Sequence, residues 1–379
     1  MIYIVILLAI VACVWYFDLH GATRHKWILF WTFCITFIVV SGLRYRIGTD
    51  TIVYMMSWDR YGDFWDFDWV ADIKKFRESS IHVERFQPGW VLYCMAIKAF
   101  IPDFWGLQLV TAILINSAIF RTIKKYSEYP FLTILIFYIS FKFIEFEFEI
   151  MREAVAVSIY LFLAFDAYVE RKWKKYYIGT FLTYLMHPSA LLMFILPLLR
   201  NVDWSLKKYS FLFVIPSYAI GIAGHVIVGN LVNIFLGGDD FVSQYSANAM
   251  EVETNANYAI MFSVQPVLLY MMSALFFKHF KNKEFVPLVF FTIIFMNLSL
   301  IYFTTSRLAN YIILIVFIAE TPLMMHLIRK FRTVWIAVLC MLAYFSPTLF
   351  DLQKPVNLAR YYPYQWVIDP HETPLQKSK

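Results

Sequence analysis

Met1-Ile2-Tyr3-Ile4-Val5-Ile6-Leu7-Leu8-Ala9-Ile10-Val11-Ala12-Cys13-Val14-Trp15-Tyr16 carries no charged side chain. One such run, close to the ~20 residues that cross a hydrocarbon core as a helix, is suggestive; its recurrence decides the fold class. Apolar runs occupy 2–17, 27–43, 88–101, 105–120, 129–147, 153–169, 177–199, 209–236, 258–277, 285–303, 308–327 and 333–350. The chain has 379 residues, 60% apolar and 16% charged, against roughly 45–50% and about 25% in an ordinary soluble domain. A soluble globule cannot hide that much apolar surface, so the sequence reads as an all-α polytopic integral membrane protein. Ile10-Val11-Ala12-Cys13 superficially fits a lipoprotein cleavage box, yet no Lys or Arg precedes it as a signal peptide requires, and the first run is expected to be a retained span. Cys13, Cys34, Cys94 and Cys340 each lie inside an apolar run without partners at metal-ligand or redox spacing. The net charge of +6 serves topology, since no Arg-rich patch interleaved with aromatics points to nucleic acid.

Six short connections, 21–26, 121–125, 170–175, 200–208, 278–283 and 329–332, hold 18 of the 33 Lys and Arg and only two acids, Glu170 and Asp203. The positive-inside rule places these six in the cytoplasm. It follows that Asp63 and Gly238 face outward and Asn282 inward. Two runs then violate parity. Residues 88–101, split from the next run by Pro102-Asp103-Phe104-Trp105-Gly106, are expected to form a re-entrant or interfacial half-helix, and 177–199 is broken by His187-Pro188-Ser189. Broken helices are tolerated only where protein or water covers the backbone. The result is ten spans plus two half-membrane elements with both termini outside; twelve plain spans is the alternative. Residues 1–350 form a single transmembrane domain including outer loops 44–87 and 237–257, and 351–379 an outer-side tail. In loop 44–87, Trp58, Tyr61, Phe64, Trp65, Phe67 and Trp69 among Asp59, Asp63, Asp66 and Asp68 read as an interfacial helix or cap.

Ser41-Gly42-Leu43-Arg44-Tyr45-Arg46-Ile47-Gly48-Thr49-Asp50-Thr51 puts two arginines and an acid at the outer boundary, on a face otherwise poor in bases. Either these arginines snorkel to headgroups or they bind a lipid diphosphate, which their planar fork matches. Lys142, Glu145, Glu149 and Arg152, spaced three, four and three apart, would share one helical face looking into a polar chamber, or form a surface ladder beyond the bilayer. Arg307 offers a further outer cation on the face of Tyr311. His187 is either a hydrogen-bonded structural residue or a general base. No nucleotide-binding Gly-rich loop, Walker lysine, HExxH helix or EF-hand spacing occurs.

Taken in order, Gly42-Leu43-Arg44-Tyr45-Arg46-Ile47-Gly48-Thr49-Asp50-Thr51 with Tyr54, Phe86-Gln87-Pro88-Gly89-Trp90, Arg152 with Ala154 and Ala156, His187-Pro188-Ser189-Ala190, and Arg307 with Tyr311 resemble the EpsG/Wzy-like family of bacterial polysaccharide polymerases. Tyr361-Tyr362-Pro363-Tyr364 is similar to that family's tail. Two departures stand out: Gln87 replaces an expected Glu, and Glu153 an expected Gln.

The resemblance implies a GT-C-like enzyme of the bacterial inner membrane, without metal or cofactor, that joins undecaprenyl-diphosphate-linked oligosaccharide repeat units on the periplasmic face. It implies membrane lipids, a chain-length regulator and a flippase as surroundings, and no nucleic acid. An acceptor hydroxyl attacks the donor's anomeric carbon as lipid diphosphate leaves, with inversion expected. Arg44, Arg46, Arg152 and Arg307 are the expected diphosphate ligands, with Thr49, Tyr54 and Tyr311 contacting substrate. Asp50, Glu84 and His187 are the candidate proton acceptors. Asp50 beside arginines is a poor base and Glu84, on the outer side, is preferred. The competing classes are a glycan ligase, a transporter or flippase of lipid-linked sugar, and a membrane O-acyltransferase using His187.

Overall fold

Backbone polar groups inside hydrocarbon must be satisfied within their own segment, which favours helices. The computed structural model describes residues 2–59, 61–62, 64–66, 87–200, 212–224, 266–271, 273, 283–300, 308–331 and 361–368, and among these it is helical, with no strand. Among the described residues, three helices are long and apolar enough to cross a membrane: Ile2–Leu19, Phe104–Tyr126 and Asn310–Arg329. The chain is thus an all-α membrane protein. The expected segment 333–350, most of 258–277 and parts of 209–236 and 285–303 lie outside the described residues, as do the topology positions Asp63, Gly238 and Asn282.

Two compact units emerge, Met1–Phe194 with Asp351–Lys379, and Ile195–Phe350. In the first, α1 (Ile2–Cys13) continues through a π-helical turn (Val14–Leu19). Then come α2 (Lys26–Gly42), α3 (Thr49–Trp58), α4 (Pro88–Lys98), α5 (Phe104–Tyr126), α6 (Pro130–Ile139), α7 (Met151–Ile159) and α8 (Trp173–Met186). In the second, α9 (Leu212–Gly224) packs at Gly221 against Asn297 of α10 (Val286–Leu298), and the Asn297 amide donates to Ser217 Oγ at 2.9 Å. The helix α11 (Asn310–Phe331) lies beside α10.

Aromatic stacking aligns α2 antiparallel to α5. Phe30 and Phe37 meet the Phe120 ring at 5.1 and 5.6 Å, and Gly42, at the other end of α2, faces Leu109. Likewise α1 runs antiparallel to α6, because Asp18 accepts the Leu132 N–H at 2.8 Å while Tyr138 donates to the Tyr3 carbonyl at 3.0 Å. These pairings sort the charges. At one end Arg121 and Lys125 share Asp166 at 2.6 and 2.8 Å, Lys26 reaches Asp18 at 3.4 Å, and Lys124 lies 5.4 Å over Trp27 and Trp31. The motif residues lie toward the other end of α5, a helix about 34 Å long at 1.5 Å per residue.

Two expectations need correction. The run 129–147 is not one helix: α6 stops at Ile139, Phe141 takes a left-handed backbone (φ 64), and Glu145–Glu149 is π-helical. Consequently Lys142, Glu145, Glu149 and Arg152 do not share one α-helical face, because the 3,4,3 spacing aligns only at 3.6 residues per turn and Ile150 (φ −102, ψ 44) breaks the register again. Lys142 and Glu145 pair with each other, and the acid turned inward is Glu147. Segment 177–199 is interrupted where the Pro requires it: α8 ends at Met186, His187 is extended, and Pro188–Ile195 continues as a 3₁₀-helix.

Candidate functional site

The site grows from the end of α2. A helix terminus leaves its last carbonyls short of intrahelical donors, and here three of them are paired. The Leu43 N–H takes Val39 O at 3.1 Å, the Tyr364 hydroxyl takes Val40 O at 2.6 Å, and Arg44 Nη1 takes Ser41 O. Arg44 is only 1% exposed. Its Nε donates to Ile47 O at 3.4 Å, its Nη2 reaches Met151 Sδ at 3.2 Å, and the guanidinium lies 5.1 Å from the Phe148 ring centroid. Burial draws this guanidinium down to about 10, opposed by the nearby charges of Glu147 and Glu149, so it remains a cation at neutral pH. Glu147, itself 1% exposed, accepts from the Asn116 amide at 2.8 Å. From α5, Gln108 donates to the Arg44 carbonyl at 3.0 Å.

Gly48 closes the loop onto the Glu145–Glu149 segment. Its φ of +95 suits glycine, and a Cβ there would stand 2.1 Å from Phe148 O. The Thr51 hydroxyl lies between the carbonyls of Ile47 (2.8 Å) and Phe148 (3.1 Å). Thr49 opens α3 and Asp50 occupies its first turn, where a carboxylate complements the helix dipole. Arg46 takes a left-handed backbone (φ 50) and its guanidinium lies 5.4 Å from the Tyr45 ring centroid. Tyr54 is buried 5.4 Å from Trp90 of α4, and Lys98, at the end of α4, donates to the Trp58 and Tyr61 carbonyls at 2.9 and 2.7 Å, capping α3.

Arg152 enters in the first turn of α7, one residue after the Met151 that touches Arg44, and lies within electrostatic reach of Cys94 on α4. Arg44 thus reaches the residue that precedes Arg152 in the chain. The helix α4 runs back along the first half of α5, with Tyr93 hydrogen-bonded to Thr111 at 3.1 Å, so Pro88 lies level with about Asn116, some 18 Å from the start of α5. At that depth Gly89 abuts the end of α8: a Cβ on it would stand 2.5 Å from Leu185 O. The Gln87-Pro88-Gly89 and His187-Pro188-Ser189 motifs are therefore neighbours. His187 Nδ1 faces Ser189 Oγ at 2.5 Å and the Ser189 N–H at 3.4 Å. A backbone N–H can only donate, so toward the Ser189 N–H the Nδ1 acts as acceptor.

Glu84 and Arg307 lie outside the described residues, and Tyr311 is buried near the start of α11 in the second unit. Among the described residues no group of three or more His, Cys, Asp or Glu could hold a metal ion. Sequence reasoning missed Glu147, Asn116, Gln108 and the contact of the tail with Arg44. Gln108 and Asn116 carried a usable signal, since polar side chains eight residues apart in an apolar helix share a face.

No curated protein and no solved structure matches the chain. A sequence model of the EpsG family matches residues 27–366. That match leaves out little more than the two ends, and the chain belongs to the EpsG family.

Proposed function

We propose that this protein polymerises oligosaccharide repeat units carried on undecaprenyl diphosphate, at the periplasmic face of the bacterial inner membrane. The observation that carries the reading is the contact of Arg44 with Met151, the residue before Arg152, in a chain of this family, with Arg152 in electrostatic reach of Cys94 on α4. The acceptor hydroxyl attacks the donor's anomeric carbon, the bond from that carbon to the diphosphate oxygen breaks, and the leaving oxygen takes the electron pair. Arg46, Arg152 and Arg307 stabilise the growing negative charge, a role in which a preorganised donor is worth roughly 2.7–4 kcal/mol. Arg44, turned inward onto backbone carbonyls, serves behind them by fixing the loop that carries Arg46, Thr49, Asp50 and Tyr54. The hydroxyl proton goes to Glu84. His187, whose Nδ1 is engaged with Ser189, is assigned a structural role rather than that of base.

The protein in proteoliposomes, given undecaprenyl-diphosphate-linked repeat units, should convert them to a ladder of longer chains and release undecaprenyl diphosphate. Donor that crosses the bilayer without lengthening would instead show a transporter. A deletion strain should retain single repeats and lose long surface chains, and retention of the long chains would overturn the reading.

A further inference from the structure

We infer that the segment Tyr361–Val367 is a working part of this site: a strap that positions the Arg44 loop and Glu149 for the donor, with Tyr361 as a positioning residue. The inference rests on the polymerase reading. The backbone contact is an antiparallel bridge in which Arg44 stands opposite Trp366, Tyr45 N–H donates to Gln365 O at 3.0 Å, and Val367 N–H donates to Leu43 O at 2.9 Å. Two side chains extend it. Tyr364 takes Val40 O, and Tyr361 donates to Glu149 Oε1 at 2.6 Å. The strap is itself anchored, since the Tyr3 hydroxyl donates to Tyr361 O at 3.3 Å, Tyr3 meets the Tyr364 ring edge-on at 6.0 Å, and Phe141 meets Tyr361 at 5.4 Å.

Its placement argues for more than general packing. The carbonyls of Val40 and Leu43, one in the last turn of α2 and one just past it, are satisfied by the tail, so the tail completes the terminus from which Arg44 projects. Through Tyr361 it also holds Glu149, three residues before Arg152. One short segment therefore bridges the two places from which the diphosphate-binding arginines arise. Removing the Tyr361 hydroxyl leaves ring packing in place and frees only the carboxylate, so the loss should show in donor binding rather than in folding.

Full-length Tyr361→Phe, Glu149→Gln and the double variant, in proteoliposomes, test this by donor titration together with backbone hydrogen exchange. Tyr361→Phe should raise the donor half-saturation concentration about tenfold with the saturated rate little changed, because a charge-assisted hydrogen bond is lost, and Glu149→Gln, which keeps an acceptor but not the charge, should raise it less. The double variant should be no worse than Tyr361→Phe, since both act on one contact. Tyr361→Phe should also speed exchange across 43–45 and leave α5 unchanged. An unchanged half-saturation, additive losses, or a fall in saturated rate matching a fall in folded protein would overturn the strap. Exchange reads the strap whether or not polymer forms, and unaltered exchange across 43–45 overturns it, whereas failure of the parent protein to make polymer defeats the functional reading alone.

Discussion

The first unit uses arginine in two ways at its two ends. Arg121, with 38% of its side chain exposed, shares Asp166 with Lys125, 41% exposed, where water can replace either partner. Arg44 is closed off from solvent, and its guanidinium is held by two carbonyls and a thioether beside a buried acid. The contrast teaches that the number of charge contacts says little about what a residue fixes. The part-buried trio marks an end of the bundle, whereas the buried arginine specifies the path of a loop.

The strongest attempt to break that contrast is Arg44→Ala. It leaves the buried Ser41 and Ile47 carbonyls without their guanidinium donor, and should cost about 1–3 kcal/mol of stability for each. The fall would be visible as lost folded protein and a lowered unfolding temperature in detergent. An Arg44→Ala protein as stable as the parent would erase the distinction between the ends.

Next in size is Arg152→Lys. It keeps the charge but loses the fork, and should lower polymer synthesis on the order of 10²-fold at unchanged unfolding temperature. Equal losses of activity and stability would move Arg152 into the same class as Arg44. Smaller again, Asn116→Ala withdraws the amide from Glu147 and should destabilise by roughly 1–3 kcal/mol. Least of all, Arg121→Ala should cost under about 1 kcal/mol, because the pair is partly solvated and Lys125 and Tyr126 still hold Asp166. A thermal-unfolding series of these four would sharpen the comparison into a scale.

The helical membrane character and the grouping of bases at one end were legible because apolar length and charge bias are written directly in the residues. The break between Ile139 and Glu145 was not: Ser140-Phe141-Lys142 contains neither Gly nor Pro, and Phe141 in the left-handed region gives no compositional sign. The inward turn of Glu147 was hidden for the same reason, since a π-helical stretch shifts the face on which each residue falls. The motif loop was legible as a motif, and Gly48 as a necessity of close approach. Its fastening was not, because a bridge between residues 44 and 366 depends on pairing that no local pattern encodes.

That long-range fastening also has a consequence in time. Val40 leaves the ribosome 324 residues before the Tyr364 that takes its carbonyl. At roughly 5–20 residues per second the end of α2 waits on the order of 15–65 s for its partner. Throughout that interval the loop carrying Arg44 lacks its last fastening, and the end of α2 is completed only after every helix between has been made. Synthesis order thereby sets when the loop is fixed, and a chain arrested anywhere before the tail carries that loop without it.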